Sequence, residues 1–182
     1  MKTFCTSAVS FICVGLLAIA ANAAQPTAAA APAGPTDPQI AAIVVTANTV
    51  DIDAGKFAES KTKNAEVKKF AAMMVTDHTS VNKSAVDLVT KLKVTPQEND
   101  TSRSLKKGGD DNLANLKTLT GKAFDKAYVD HEVAYHQAVL DAVDKTLIPS
   151  AKNAELKALL IKVRPAFVAH LAHAQQIQST LK

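Results

Sequence analysis

Read at alternating steps of four and three, the chain shows four stretches with an apolar face. The first gives Ile40, Val44, Ala47, Asp51, Ala54 and Ala58, and the second Val67, Ala71, Met74, His78, Val81, Ala85, Leu88 and Leu92. The third gives Val129, Val133, His136, Leu140, Val143 and Leu147, and the fourth Leu156, Leu160, Val163, Phe167, His170, Ala174, Ile177 and Leu181. This period belongs to packed amphipathic helices.

The stop and start signals set the boundaries. Asp37-Pro38 reads as an N-cap followed by proline in the first turn and opens helix A, which runs to about 60. Helix B follows from about 63 to 93 and stops before Thr95-Pro96. Thr95-Pro96-Gln97-Glu98 has the form of a capping box, so it predicts a short helix that Gly108-Gly109 breaks. Asn112 to Leu119 forms a second short piece, ended by Gly121. Helix C runs from about 122 to 147, Pro149-Ser150 makes the turn, and helix D runs from about 151 to 181. Two tight hairpins joined by a long connection, residues 94 to 121, predict an all-α, ferritin-like four-helix bundle whose B–C crossover contains short helices. The openings Asn64-Ala-Glu-Val-Lys and Asn153-Ala-Glu-Leu-Lys echo each other, by duplication or because both helices begin with good N-terminal acids.

Composition supports this class. Aromatic residues make up 4% of the 182 and there is no tryptophan, which suits Ala/Leu/Lys-rich helices better than a sheet. The net charge of +4 is spread among acids, with no basic block, so no nucleic-acid partner is expected. Lys2, the apolar run 8–20 and Ala21-Asn22-Ala23 form a signal-peptide pattern. The expected organisation is a signal peptide over 1–23, a flexible Ala/Pro-rich tether over 24–37 and the bundle over 38–182. The mature chain would be exported to the periplasm or secreted by a bacterium, with no membrane span. Both cysteines, Cys5 and Cys13, would leave with the signal peptide, so neither disulfides nor thiolate ligands are expected.

The seams carry one polar residue each: Asp51, His78, His136 and His170. Each buried polar group without a partner costs about 1–3 kcal/mol. Three imidazoles and a carboxylate relieve that cost by binding each other, water or a metal, and together they suit Fe, Mn, Zn or Cu. Axial position argues against one compact site. At about 1.5 Å per residue, His78 and His136 fall level, Asp51 lies about 6 Å higher and His170 about 11 Å above His78. A kink at Pro165 or a second metal, joined by Glu132 or His131, would accommodate that spread. Glu132 and His136 are four apart and share a face. Asp77 is expected off the seam, His173 on the surface, and Met73 and Met74 in plain core. Paired carboxylates on facing helices are not evident. A serine elbow and a phosphate-binding glycine loop are both missing, which excludes the commonest nucleophilic and nucleotide chemistries.

Three stretches carry a resemblance. They are Glu66 to His78 in helix B, Phe124-Asp-Lys-Ala-Tyr128 with His136 in helix C, and Pro165-Ala-Phe-Val-Ala-His170-Leu in helix D. Over roughly residues 38 to 180 the chain resembles a family of exported bacterial ferritin-like proteins of unknown function, often labelled outer-membrane proteins. At Asp51 that family tends to carry an acid, usually glutamate. The resemblance implies the fold and leaves the function open.

Three functions remain open on the residues. One is metal handling or oxidative-stress defence at a core site, whose ligand set also suits a redox-active ion of the oxidase or dismutase kind. Another is an envelope-stress module whose histidines form a structural or pH-responsive hydrogen-bond network. A third is a homo-oligomer or an envelope-protein partner engaged through residues 97–120, the most charged and least core-like segment.

Overall fold

A computed structural model describes residues 34–181. The expected signal peptide and most of the tether lie outside those residues. Five long helices make up the described chain: α1 Asp37–Lys61, α2 Ala65–Lys91, α3 Asp100–Thr118, α4 Gly121–Ala142 and α5 Ala154–Thr180. Between α4 and α5 the chain passes through a π-helical stretch, Val143–Leu147, and a last α turn, Ile148–Ser150. α1, α2, α4 and α5 form the bundle, and α3 is the crossover, laid along α1. No helix among the described residues is long and apolar enough to cross a membrane.

The two echoing openings are matched N-caps. Asn64 Oδ1 accepts from the Glu66 and Val67 amides at 2.9 and 3.2 Å, and Asn153 Oδ1 from the Glu155 and Leu156 amides at 2.9 and 3.0 Å. α1 is capped one residue earlier than its Asp-Pro signal suggests. Thr36 is the cap, with its amide donating to Gln39 Oε1 at 3.0 Å. Asp37 instead holds the far turn, accepting from the Lys152 and Asn153 amides at 2.9 Å each. Its carboxylate therefore ties the start of α1 to the start of α5.

The crossover departs from expectation. Thr95–Glu98 is not helical, and the Gln97 amide instead donates to the Pro38 carbonyl at 2.9 Å. The capping box belongs to Asn99 and Ser102. From there one helix runs straight through Gly108-Gly109. Packing explains why the pair does not break it. Gly109 is buried, and a Cβ there would meet Val50 Cγ2 at 2.7 Å. The glycine lets α3 close on α1, and that contact holds the helix through residues of poor propensity.

The core has two apolar halves with a polar layer between them. One half gathers Ala58, Val67, Phe70, Met74, Phe124, Tyr128 and Ile177. The other gathers Ile40, Val44, Ala85, Val143, Leu147, Leu156 and Leu160. Between them on every bundle helix sits the polar residue of the seam. Met74 is part of the first half, as plain core.

Candidate metal centre

α1 supplies Asn48 and Asp51 to the polar layer, α2 supplies His78, α4 supplies Glu132 and His136, and α5 supplies His170. All six are at most 3% exposed. One candidate ligand atom each from His78, His136 and His170 lie within 4.8 Å of one another, and the same holds for Asp51, Glu132 and His136. The ring centroids of the three histidines are 5.2 to 5.5 Å apart.

The sequence-derived heights put His170 too far along the bundle, and the C–D connection shows why. Helix continues through Ser150 rather than stopping at 147, and α5 starts at Ala154 rather than 151. Three residues more on the α4 side of the turn and three fewer on the α5 side lower His170 by about 9 Å relative to His136 at about 1.5 Å per residue. Register, with α5 running unbroken through Pro165, brings the histidines level.

The hydrogen bonds fix the proton on each ring. Asn48 Nδ2 donates to the Val44 carbonyl at 2.7 Å, which turns Asn48 Oδ1 toward His78 Nδ1 at 2.8 Å. An amide oxygen only accepts, so Nδ1 carries the hydrogen. His136 Nδ1 donates to the Glu132 backbone carbonyl at 3.0 Å. His170 Nε2 donates to Asp77 Oδ2 at 2.9 Å. The opposite nitrogens, His78 Nε2, His136 Nε2 and His170 Nδ1, are buried and have no hydrogen-bond partner. Each carries a lone pair into the polar layer. An acceptor behind each imidazole, fixing its tautomer and orientation, is how proteins prepare histidine ligands.

Electrostatics keep those lone pairs free. Burial lowers His78 to about 2, with repulsion from His136 and His170 adding to it. Burial and His170 lower His136 to about 4. His170 is also lowered by burial, against the opposing pull of Asp77. The carboxyls move the other way. Burial raises Asp51 and Glu132 well above the usual range, and one oxygen of each carboxyl lies within 4.8 Å of the other. Two buried carboxyls this close do not both ionise, because burial and their mutual repulsion favour the protonated form. Asp51 Oδ2 also lies 3.5 Å from His78 Nδ1, and Glu132 Oε2 lies 3.5 Å from His136 Nδ1. Tyr128, buried beside the carboxyls, is raised by burial and by Glu132 and Asp51, and its hydroxyl has no partner.

Of the six sequence-derived candidates, Asp51, His78, Glu132, His136 and His170 come together. His131 does not join either group. It stacks on Tyr135 with ring centroids 5.5 Å apart, and its Nε2 is buried without a partner. His173 is half-buried, edge-on to Phe70 at 5.4 Å. Three participants are not visible in the seam pattern. Asn48 and Tyr128 lie one helical position from seam residues. Asp77 lies off the seam of α2, yet it reaches across to α5. The Asp51–Glu132 contact is a carboxyl pair on facing helices, an arrangement not evident in the sequence. It escapes the period because Glu132 takes the place expected of the half-buried Val133.

The arrangement offers three neutral nitrogen donors beside two carboxyls whose ionisation burial holds back. Two ligands of one ion at about 2.1 Å lie at most about 4.2 Å apart. Separations within 4.8 Å therefore need only small side-chain rotations to close on an ion.

Comparison with known proteins follows the fold. The family model described as Domain of unknown function (DUF4142) matches residues 22–177. No curated protein matches the chain. A solved structure titled "CopM in the Cu(II)-bound form" superposes with a TM-score of 0.65 at 16% identity, covering 82% of this chain and 99% of that one. At that identity the likeness shows a shared helical fold.

Proposed function

The chain belongs to the DUF4142 family, and from that premise we propose that it is an exported protein for handling a transition metal ion, held in the bundle core by His78, His136 and His170. One observation carries the reading. Three buried imidazoles each give one nitrogen to an acceptor and leave the other buried without a partner, and one nitrogen from each lies within 4.8 Å of the others. In a purely structural network those inner nitrogens would hold donors, since an unmet buried polar group costs about 1–3 kcal/mol.

Three imidazoles suit Cu, Zn and Fe, and divalent affinity peaks at copper. Copper is also the metal that the similar solved structure is titled with. Asp51 and Glu132 stand beside the histidines, and loss of a proton from these carboxyls would offset the ion's charge. His131 has no part in this centre.

Elemental analysis of the chain, purified without chelators or a histidine tag, tests the reading. About one transition metal ion per chain is expected, lost in a His78→Ala/His136→Ala variant that keeps its helical content. A metal-free chain that also takes up no Cu, Zn, Fe or Mn when offered would overturn it.

A further inference from the structure

Against the polar layer lies an apolar cavity of about 240 Å³, walled by α1, α4, α5 and the π-helical stretch. Ile43, Val139, Leu160 and Val163 line its sides, and Asp51 and His78 form its polar end. Exposed Thr101 and Thr146 border it, so the space reaches solvent. We propose that this cavity binds a small flat aromatic molecule with a single hydroxyl, its ring among the apolar walls and its hydroxyl on the Asp51 carboxyl.

Size sets the scale. An apolar cavity of about 150 Å³ takes benzene, so one of 240 Å³ takes a two-ring molecule. Shape favours a flat one. His78 and Phe167, both lining the space, are stacked with an interplanar angle of 9°, and Tyr135 lines it too. Aromatic walls gain from offset stacking on a guest ring.

Chemistry selects the head group. Asn48 is used up, donating to Val44 and accepting from His78. Asp51 is 3% exposed, and its Oδ1 has no partner. A buried, unpartnered carboxyl oxygen at the end of an apolar space calls for a donor at the end of an apolar ligand. A second polar group on the ring would lose its water and find nothing in return.

The π-helical stretch is an independent sign. Val143, Thr146 and Leu147 all line the cavity. The Ile148 amide bonds to the Val143 carbonyl, five residues back, so one residue too many is carried in that turn. Single π turns inside α-helices concentrate at functional sites.

The test uses the metal-free chain, so its outcome is separable from the metal reading. Isothermal titration with 2-naphthol should show one site per chain. 2-Methoxynaphthalene, with the same ring and no donor, should bind at least ten-fold more weakly. Ala47→Phe, which grows a ring into the space, should weaken 2-naphthol at least ten-fold, and Val139→Phe does the same from the other wall should the first variant not fold. Asp51→Leu should remove the preference for the hydroxyl. Absent 2-naphthol binding, equal binding of the methyl ether, or unchanged binding in a folded filled variant would each overturn the proposal.

Discussion

Asn48 Oδ1 accepts from His78 Nδ1 at 2.8 Å, and this contact decides which nitrogen of His78 is free. The asparagine is itself oriented by its bond to the Val44 carbonyl. Backbone helix geometry is thereby transmitted through one side chain to a second, on a different helix. Asn48→Ala should keep the fold and lower metal affinity about 10–100-fold, the usual cost of removing an acceptor behind a histidine ligand. Competition against a chelator of known affinity measures it, and unchanged affinity would deny Asn48 this role.

The tautomers can be read without any metal. Long-range nitrogen–proton NMR spectra of the metal-free chain should show His78 and His136 protonated at Nδ1 and His170 at Nε2. Rapid tautomer averaging at all three rings would contradict the hydrogen-bond assignment.

Metal uptake should release about one proton per ion near neutral pH. The imidazoles are already neutral, because burial lowers all three, so the proton comes from the Asp51–Glu132 pair. Titration in two buffers of different ionisation enthalpy reports the number. Asp51→Asn/Glu132→Gln should abolish the release, and an undiminished release in that double variant would locate the proton elsewhere.

Stability of the metal-free chain should rise with pH between about 4.5 and 6.5. A histidine whose folded pKa lies below its free value of 6.5 binds fewer protons folded than unfolded. Its contribution is complete above 6.5 and is lost as pH falls from there toward the folded values, about 2 for His78 and about 4 for His136. The raised carboxyls act in the opposite sense, being fully stabilising below their unfolded value and losing that as pH rises through the folded one. Three histidines outweigh one coupled carboxyl pair. Urea midpoints across this range check it, and a flat or falling profile would contradict it.

The two crossover glycines should respond in opposite directions. Gly109→Ala places a Cβ against Val50 and should destabilise by about 1–3 kcal/mol through overpacking. Gly108→Ala meets nothing within 4 Å and should stabilise by about 0.5–1 kcal/mol through helix propensity. Thermal melts of both variants decide whether α3 is held by this close approach.

Much of the fold was legible because its signals are local. The caps Asn64 and Asn153, the apolar seams and the long connection all lie within short reach in sequence. The crossover misled because Gly108-Gly109 reads as a break when Val50, more than fifty residues away, is unseen. The site was legible as Asp51, His78, His136 and His170, one per seam, with Glu132 beside them. Its compactness was not, because an error of three residues at each end of one turn moves His170 by about 9 Å. Asn48 and Asp77 were hidden for another reason. Each acts on a histidine of a neighbouring helix, and no period within one helix encodes such a partner.

The central claim is that three inward nitrogens converge on one metal ion. X-ray absorption at the metal edge of the copper-loaded chain tests it most directly. The account predicts three nitrogen scatterers at about 2.0–2.1 Å, with the outer-shell pattern of imidazole, reduced in a His170→Ala variant. A first shell of oxygen alone, or an imidazole pattern untouched by His170→Ala, would contradict it.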